Sequence, residues 1–217
     1  MTPIKRIAVL ISGSGSNLQA LIDYCQTRDD AVIACVISNK PYCYGLTRAK
    51  QAGITTHTID HTSYPNREAF DQALASALCN QQVDLILLAG FMRLLTASFV
   101  ERFAGKLLNI HPSLLPKYPG LNTHQRAIDA NDSHAGATVH VVTAELDGGP
   151  PIAHIRVPVL PNDTADTLAK RVLTQEHTLY PTVLGWVLDG KVTIADNTAY
   201  YQGAAIDAGG LALNALQ

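Results

Sequence analysis

The sequence predicts an α/β fold: one domain with a mostly parallel, twisted sheet flanked by helices, then an antiparallel hairpin and a long helix in its second half. Three observations predict it. Short, near-continuous apolar runs alternate with amphipathic stretches over the first ~110 residues, as strands covered on both faces alternate with their crossover helices. Beyond them, two strand-like runs flank a glycine-rich turn. A hydrophobic content of 47% against 16% charged residues supplies a sizeable core to the 217 residues and excludes disorder.

RIAVLIS (6–12), AVIACVIS (31–38), TTHTI (55–59), DLILLAG (84–90) and KLLNI (106–110) are apolar or β-branched runs of strand length. Between them, Leu18, Leu21, Ile22 and Cys25 fall at helical spacing, as do Phe70, Ala73, Leu74 and Ala77. GATVHVVTAELDGGPPIAHIRVPVL reads as a hairpin, and a helix is expected from about Thr164 to Leu188. The final stretch, rich in Ala, Gly and Leu, carries no assignable pattern.

A net charge of −2 gives no electrostatic footprint for a nucleic acid. The N-terminal MTPIKRIAVLISG is too short in its apolar part for a signal peptide or membrane span. The four cysteines form no CxxC pair, and two fall in apolar segments, which suits buried thiols in a reducing cytoplasm better than zinc or disulfides.

Three places carry chemistry by spacing alone. In NIHPSLLPKYPG, Asn109 and His111 share one face of a strand, about 6–7 Å apart along it. Pro112 keeps His111 extended, so the pair sits where the strand leaves the sheet, the end at which open α/β sheets bind ligands. An amide beside an imidazole can jointly donate to an oxygen gaining negative charge.

LISGSGSNLQAL is glycine-rich and opens a helix, so its free amides suit an anion, with Ser16 or Asn17 as the helix cap. Leu18 stands where a dinucleotide fingerprint needs its third glycine, and no Walker lysine is present, which favours a monophosphate. Third, Glu176 interrupts the stripe Leu168, Val172, Leu179, Val183, Val187, and a carboxylate facing the core needs a partner, structural or ligand. Asp147, in ELDGGP, reads as an ordinary Asp-Gly turn. His111, His124, His134 and His140 cluster in sequence without metal-ligand spacing, and no metal is expected.

SGSGSNLQAL, AGFMRLL, LLNIHPSLLPKYPGLNTH, HVVTAELDGGP and RVLTQEHTLYP, in this order, closely resemble the folate-dependent phosphoribosylglycinamide formyltransferases of purine synthesis. The resemblance covers about residues 5–190. HPSLLP is shared by enzymes that take formyl from 10-formyltetrahydrofolate, whereas SGSGSN with the QEH helix is more specific to a ribonucleotide acceptor. It implies a Rossmann-like single domain over 1–217: a mononucleotide-binding half to about 110, a folate and catalytic half over about 111–190, and an extension over about 191–217.

The resemblance further implies that the amides of Gly15, Ser16 and Asn17 hold the substrate phosphate and that Glu176 binds the ribose. Met92, Arg93, Leu94 and Leu95 would line the folate site with Asn109, Thr143, Ala144, Glu145, Leu146 and Asp147, and Arg67 would meet the folate's carboxylate end. Asn109, His111 and Asp147 would form the catalytic trio, which raises Asp147 from a turn residue to a partner of the imidazole. Leu173 departs from the pattern: relatives carry a polar residue there that helps hold the phosphate, so more of that task would fall to the glycine loop.

The implied reaction is attack of the glycinamide ribonucleotide amine on the formyl group of 10-formyltetrahydrofolate, by way of a tetrahedral oxyanion. No metal is implied, and a water or His111 would carry the proton to N10. A cytoplasmic monomer or homodimer is expected, without nucleic acid or membrane. The alternatives are methionyl-tRNA formyltransferase and formyltetrahydrofolate hydrolase, for whose added domains this chain has no room. A non-catalytic nucleotide- or folate-binding protein is the remaining alternative, and it would lose the trio.

Overall fold

Five consecutive residues, Ile7–Ile11, are completely buried in β1 (Lys5–Ile11), as a strand covered on both faces requires. The computed structural model describes residues 3–213. The chain divides into two units, Met1–Leu108 and Asn109–Gln217.

In the first unit β1 is followed by α1 (Ser16–Cys25), β2 (Ala31–Ser38), α2 (Tyr44–Gln51), β3 (Thr56–Thr58), α3 (Arg67–Asn80), β4 (Leu85–Leu88) and α4 (Ala97–Arg102). β1 pairs in parallel with both β4 and β2, and β2 with β3. The chain returns to β1 after stepping outward to β3, so the strand order, not the strand direction, reverses beside β1. That switch leaves the loop after β1 open to a ligand. Burial pushes the thiols of Cys25 and Cys35 up to about 11.

Two local expectations change. The N-cap of α1 is Gly15, with φ 71°, and no side chain caps the helix. Ser16 and Asn17 are already helical, because only glycine takes the left-handed turn cheaply. On α3, Ala73 and Ala77 are half-buried, and the buried line runs through Phe70, Asp71, Leu74, Ala75 and Leu78. Asp71 on that line is buried with a partner, since its carboxylate accepts the Thr96 backbone N–H at 2.6 Å, just before α4.

The division falls within β5 (Leu107–His111). The second unit continues with α5 (Thr123–Asp129), β6 (His134–Val141), β7 (Pro151–Pro158) and α6 (Ala165–Leu188), then β8 (Val192–Ala195), β9 (Thr198–Tyr201), β10 (Ala204–Ala205) and β11 (Leu211–Leu213). β6 and β7 are the expected antiparallel hairpin. β11 adds to β7 in parallel, while β8, β9 and β10 form a separate antiparallel sheet. α6 packs on β6 and β7, and Thr164 opens it with a capping box shared with Thr167. Among the described residues, no helix is long and apolar enough to cross a membrane.

The β6–β7 connection depends on a side-chain-free position. A Cβ on Gly149 would collide with the Val141 carbonyl oxygen at the end of β6. Gly149→Ala is expected to cost about 2 kcal/mol and lower the melting temperature by roughly 4–8 °C. Gly209→Ala, where nothing lies within 4 Å, should leave the transition nearly in place. Equal transitions in calorimetry would show that the hairpin has room to relax.

Candidate active site

β5 carries Asn109 and His111 to the same neighbourhood of the second unit. Asn109 donates through Nδ2 to His140 Nε2 at 3.0 Å. His140 Nε2 lies 3.7 Å from Asp147 Oδ1, and Asp147 Oδ2 lies 3.4 Å from His111 Nδ1. The contacts therefore run Asn109–His140–Asp147–His111, linking both strand residues through the hairpin. His111 and His140 are 6% and 2% exposed, which shields the Asn109–His140 hydrogen bond from water, while Asp147 approaches the two rings at longer range without a hydrogen bond to either.

The protonation pattern follows from the partners. His140 Nδ1 faces the Val141 carbonyl at 2.9 Å, so it carries the hydrogen and Nε2 is the bare acceptor. Burial pushes the His140 pKa below its ordinary value, which keeps the ring neutral. A neutral ring with that tautomer can take the Asn109 N–H and rejects its carbonyl oxygen, so it decides which way the amide points. His111 Nε2 donates to the Tyr118 carbonyl at 2.9 Å, and Nδ1 is left to Asp147.

Asp147 adopts φ 50°, a left-handed conformation that Asp and Asn tolerate better than other side chains. Its Oδ2 also accepts the Gly120 N–H at 2.8 Å. The loop after β5 is thereby tied to the hairpin. The loop is held a second time by Asp132, which pairs with Lys117 at 2.7 Å and accepts from the Tyr118 hydroxyl at 2.8 Å. Lys117 and Tyr118 together hold the Asp132 carboxyl below its usual range. These contacts bury His111, where the sequence suggests an open strand end.

Of the remaining residues expected in this unit, Thr143 is half-buried, while Ala144, Glu145 and Leu146 are exposed. Glu176 lies on the buried stripe of α6 and is 7% exposed. His124, on α5, has its pKa lowered, mainly by burial and to a lesser degree by the charge of His111.

In the first unit the glycine-rich loop joins β1 to α1. Ser12 Oγ donates to Asn39 Oδ1 at 2.5 Å and accepts the Met92 N–H at 2.8 Å. The segment after β4 is thus fastened to the end of β1. Met92 and Leu94 are 63% and 52% exposed, a large apolar area for a surface, with Arg93 and Leu95 half-buried between and beside them. Arg93 Nε is buried without a hydrogen-bond partner among the described residues. Arg67 is exposed at the first position of α3, where a cation opposes the helix dipole.

Tyr118, Asp132 and Ser12 were not singled out by sequence reasoning, and His140 was named only within a histidine cluster, with no role. His140 alone had a readable signal: it sits among apolar residues in VHV, where a buried imidazole needs partners. Among the described residues, no group of three or more His, Cys, Asp and Glu side chains could hold a metal ion.

Residues 5–184 match the formyl transferase family. The chain is similar to the phosphoribosylglycinamide formyltransferase of Escherichia coli (strain K12), with 49% identity over 207 residues, 95% of this chain and 98% of that protein. The enzyme of the same description from Haemophilus influenzae is 50% identical over 210 residues, covering 96% and 99%. Among solved structures, the phosphoribosylglycinamide formyltransferase of Coxiella burnetii in complex with CHES superposes with a TM-score of 0.92 at 45% identity, over 97% of this chain and 99% of that one.

Proposed function

The chain belongs to the formyl transferase family, and we infer that it formylates the amine of glycinamide ribonucleotide, a transferase step of purine biosynthesis. We propose 10-formyltetrahydrofolate as the formyl donor and a cytoplasmic setting. The observation that carries the chemistry is the linked set Asn109, His140, Asp147 and His111, two potential donors at one strand end held by buried partners.

The substrate amine attacks the formyl carbon, and the formyl oxygen becomes an oxyanion. Asn109 has a second N–H on Nδ2 to give to that oxygen, since His140 takes only one. His111 gives its Nε2 hydrogen, now on the Tyr118 carbonyl, to the same oxygen. One such donor is typically worth about 3–4 kcal/mol. Asp147 lies beside Nδ1 of the imidazole and His140 holds the amide, so the amide is set in advance, while the His111 N–H exchanges the Tyr118 carbonyl for the oxyanion. The attacking nitrogen loses one proton and N10 gains one as the carbon–nitrogen bond to the folate breaks.

The amides of Gly15, Ser16 and Asn17 hold the phosphate at the start of α1, and Glu176 takes the ribose hydroxyls. The exposed side chains of Met92 and Leu94, the unpaired Nε of Arg93 and the segment Thr143–Asp147 suit the flat, polar-edged pterin. Arg67, a cation that disfavours its own helix, suits the folate's carboxylates. Leu95 borders the same segment.

Formyl transfer from 10-formyltetrahydrofolate, measured side by side with glycinamide ribonucleotide, water and charged tRNA as acceptors, tests the reading. The ribonucleotide should be the preferred acceptor, and faster transfer to water or tRNA would overturn it. Glu176→Gln should raise the Michaelis constant for the ribonucleotide and leave that of the folate nearly unchanged. Equal weakening of both would make Glu176 structural.

A further inference from the structure

We infer that Arg48 is the positioning residue of the glycine-rich loop, shaping it for a phosphate by holding the Ser14 carbonyl away from the amides of Gly15, Ser16 and Asn17. The inference rests on the phosphate reading above and assigns a role to α2, a helix that reading leaves unused.

A backbone anion site needs converging N–H groups and, equally, the removal of carbonyl oxygens whose partial charge repels the anion. In this loop every leading carbonyl is occupied elsewhere. The Gly13 oxygen accepts the Gly45 N–H at 3.1 Å, and the Gly15 oxygen accepts the Gln19 N–H at 2.9 Å inside α1. Between them, the Ser14 oxygen accepts Arg48 Nε at 2.9 Å. It is the one of the three that a side chain holds.

Arg48 is itself held. Its Nη1 donates to Gln19 Oε1 at 3.3 Å, and its guanidinium lies 4.9 Å from the centre of the Tyr44 ring. The helix behind it is pressed against the loop, since a Cβ on Gly15 would stand 2.6 Å from Gly45 Cα. Gly15 in turn takes the left-handed conformation that directs successive N–H groups to one side. Two backbone contacts from Gly45 and one cation from Arg48 therefore set the loop.

The test compares two acceptors, glycinamide ribonucleotide and its dephosphorylated nucleoside, in the full-length enzyme and in Arg48→Met. Losing one charge-assisted bond should raise the Michaelis constant for the ribonucleotide about tenfold. Turnover at saturation and the folate constant should hold, and kcat/KM for the nucleoside should stay within twofold. Inorganic phosphate should also inhibit the variant less, and Arg48→Lys should recover part of the loss.

A ribonucleotide constant within twofold of the parent overturns the inference. So does equal damage to both acceptors, because a general packing defect does not distinguish a phosphate. If the parent enzyme itself shows no preference for the phosphorylated acceptor, the phosphate reading fails first and is recognised as such before any variant is compared. Should Arg48→Met not fold, Arg48→Gln carries the same comparison with the same limits.

Discussion

His111→Ala is expected to lower turnover on the order of a hundredfold, with much smaller changes in either Michaelis constant, because an oxyanion donor acts in the transition state and hardly in the ground state. Asn109→Ala should behave alike. The double variant should lose less than the product of the single losses, since both donors would serve one oxygen in the proposed reaction. The cost in stability is separate. Removing the ring leaves the Tyr118 carbonyl without its 2.9 Å partner in a partly buried place, which should cost about 1 kcal/mol, or about 2–4 °C of melting temperature. Turnover per folded molecule and melting temperature, measured on the same preparation, separate the two effects. Folded His111→Ala protein with near-parental turnover would reduce the histidine to a clasp on the loop after β5.

Asp147→Asn is expected to depress turnover by at least tenfold while preserving the fold. Asparagine tolerates the left-handed backbone at φ 50° and can still accept the Gly120 N–H through its amide oxygen. What it loses is the negative charge facing His111 Nδ1 at 3.4 Å and His140 Nε2 at 3.7 Å. The amide also presents N–H groups to one of those rings, so the orientation of His111 is no longer determined. Asp147→Ala adds a second injury, backbone strain, and should be less stable than the asparagine variant. The informative quantity is kcat of Asp147→Asn against its melting temperature. A variant that melts early yet turns over normally would leave the carboxylate only its bond to Gly120.

Much of the fold was legible because it follows from local periodicity. AVIACVIS is β2 residue for residue, Ala31–Ser38, and the helix expected over 164–188 is α6, Ala165–Leu188, with Thr164 as its cap. The short α2, α4 and α5 and the β8–β10 sheet were not legible, since elements of so few residues are stabilised by what they pack against more than by their own pattern. The C-terminal β11 is the extreme case. Leu211–Leu213 becomes a strand by pairing with Ala153–Ile155 of β7, a partner no local pattern names.

The site divides in the same way. The sequence by itself determined that Asn109 and His111 share a strand face at the start of a proline-rich loop, that a glycine loop opens α1, and that Glu176 breaks an apolar stripe. Alternation and helical spacing are properties of the nearest neighbours and need no third dimension. Only the tertiary structure decided that Asn109 meets His140, 31 residues away, that Asp147 joins both histidines, and that Tyr118 and Asp132 cover the strand end. It also decided the tautomer of His140, because burial and the Val141 carbonyl together leave Nε2 as the bare acceptor. The physical reason is that a hydrogen-bond partner is chosen by distance in space, and distance between remote residues is set by strand pairing and loop closure, which no short window of sequence contains.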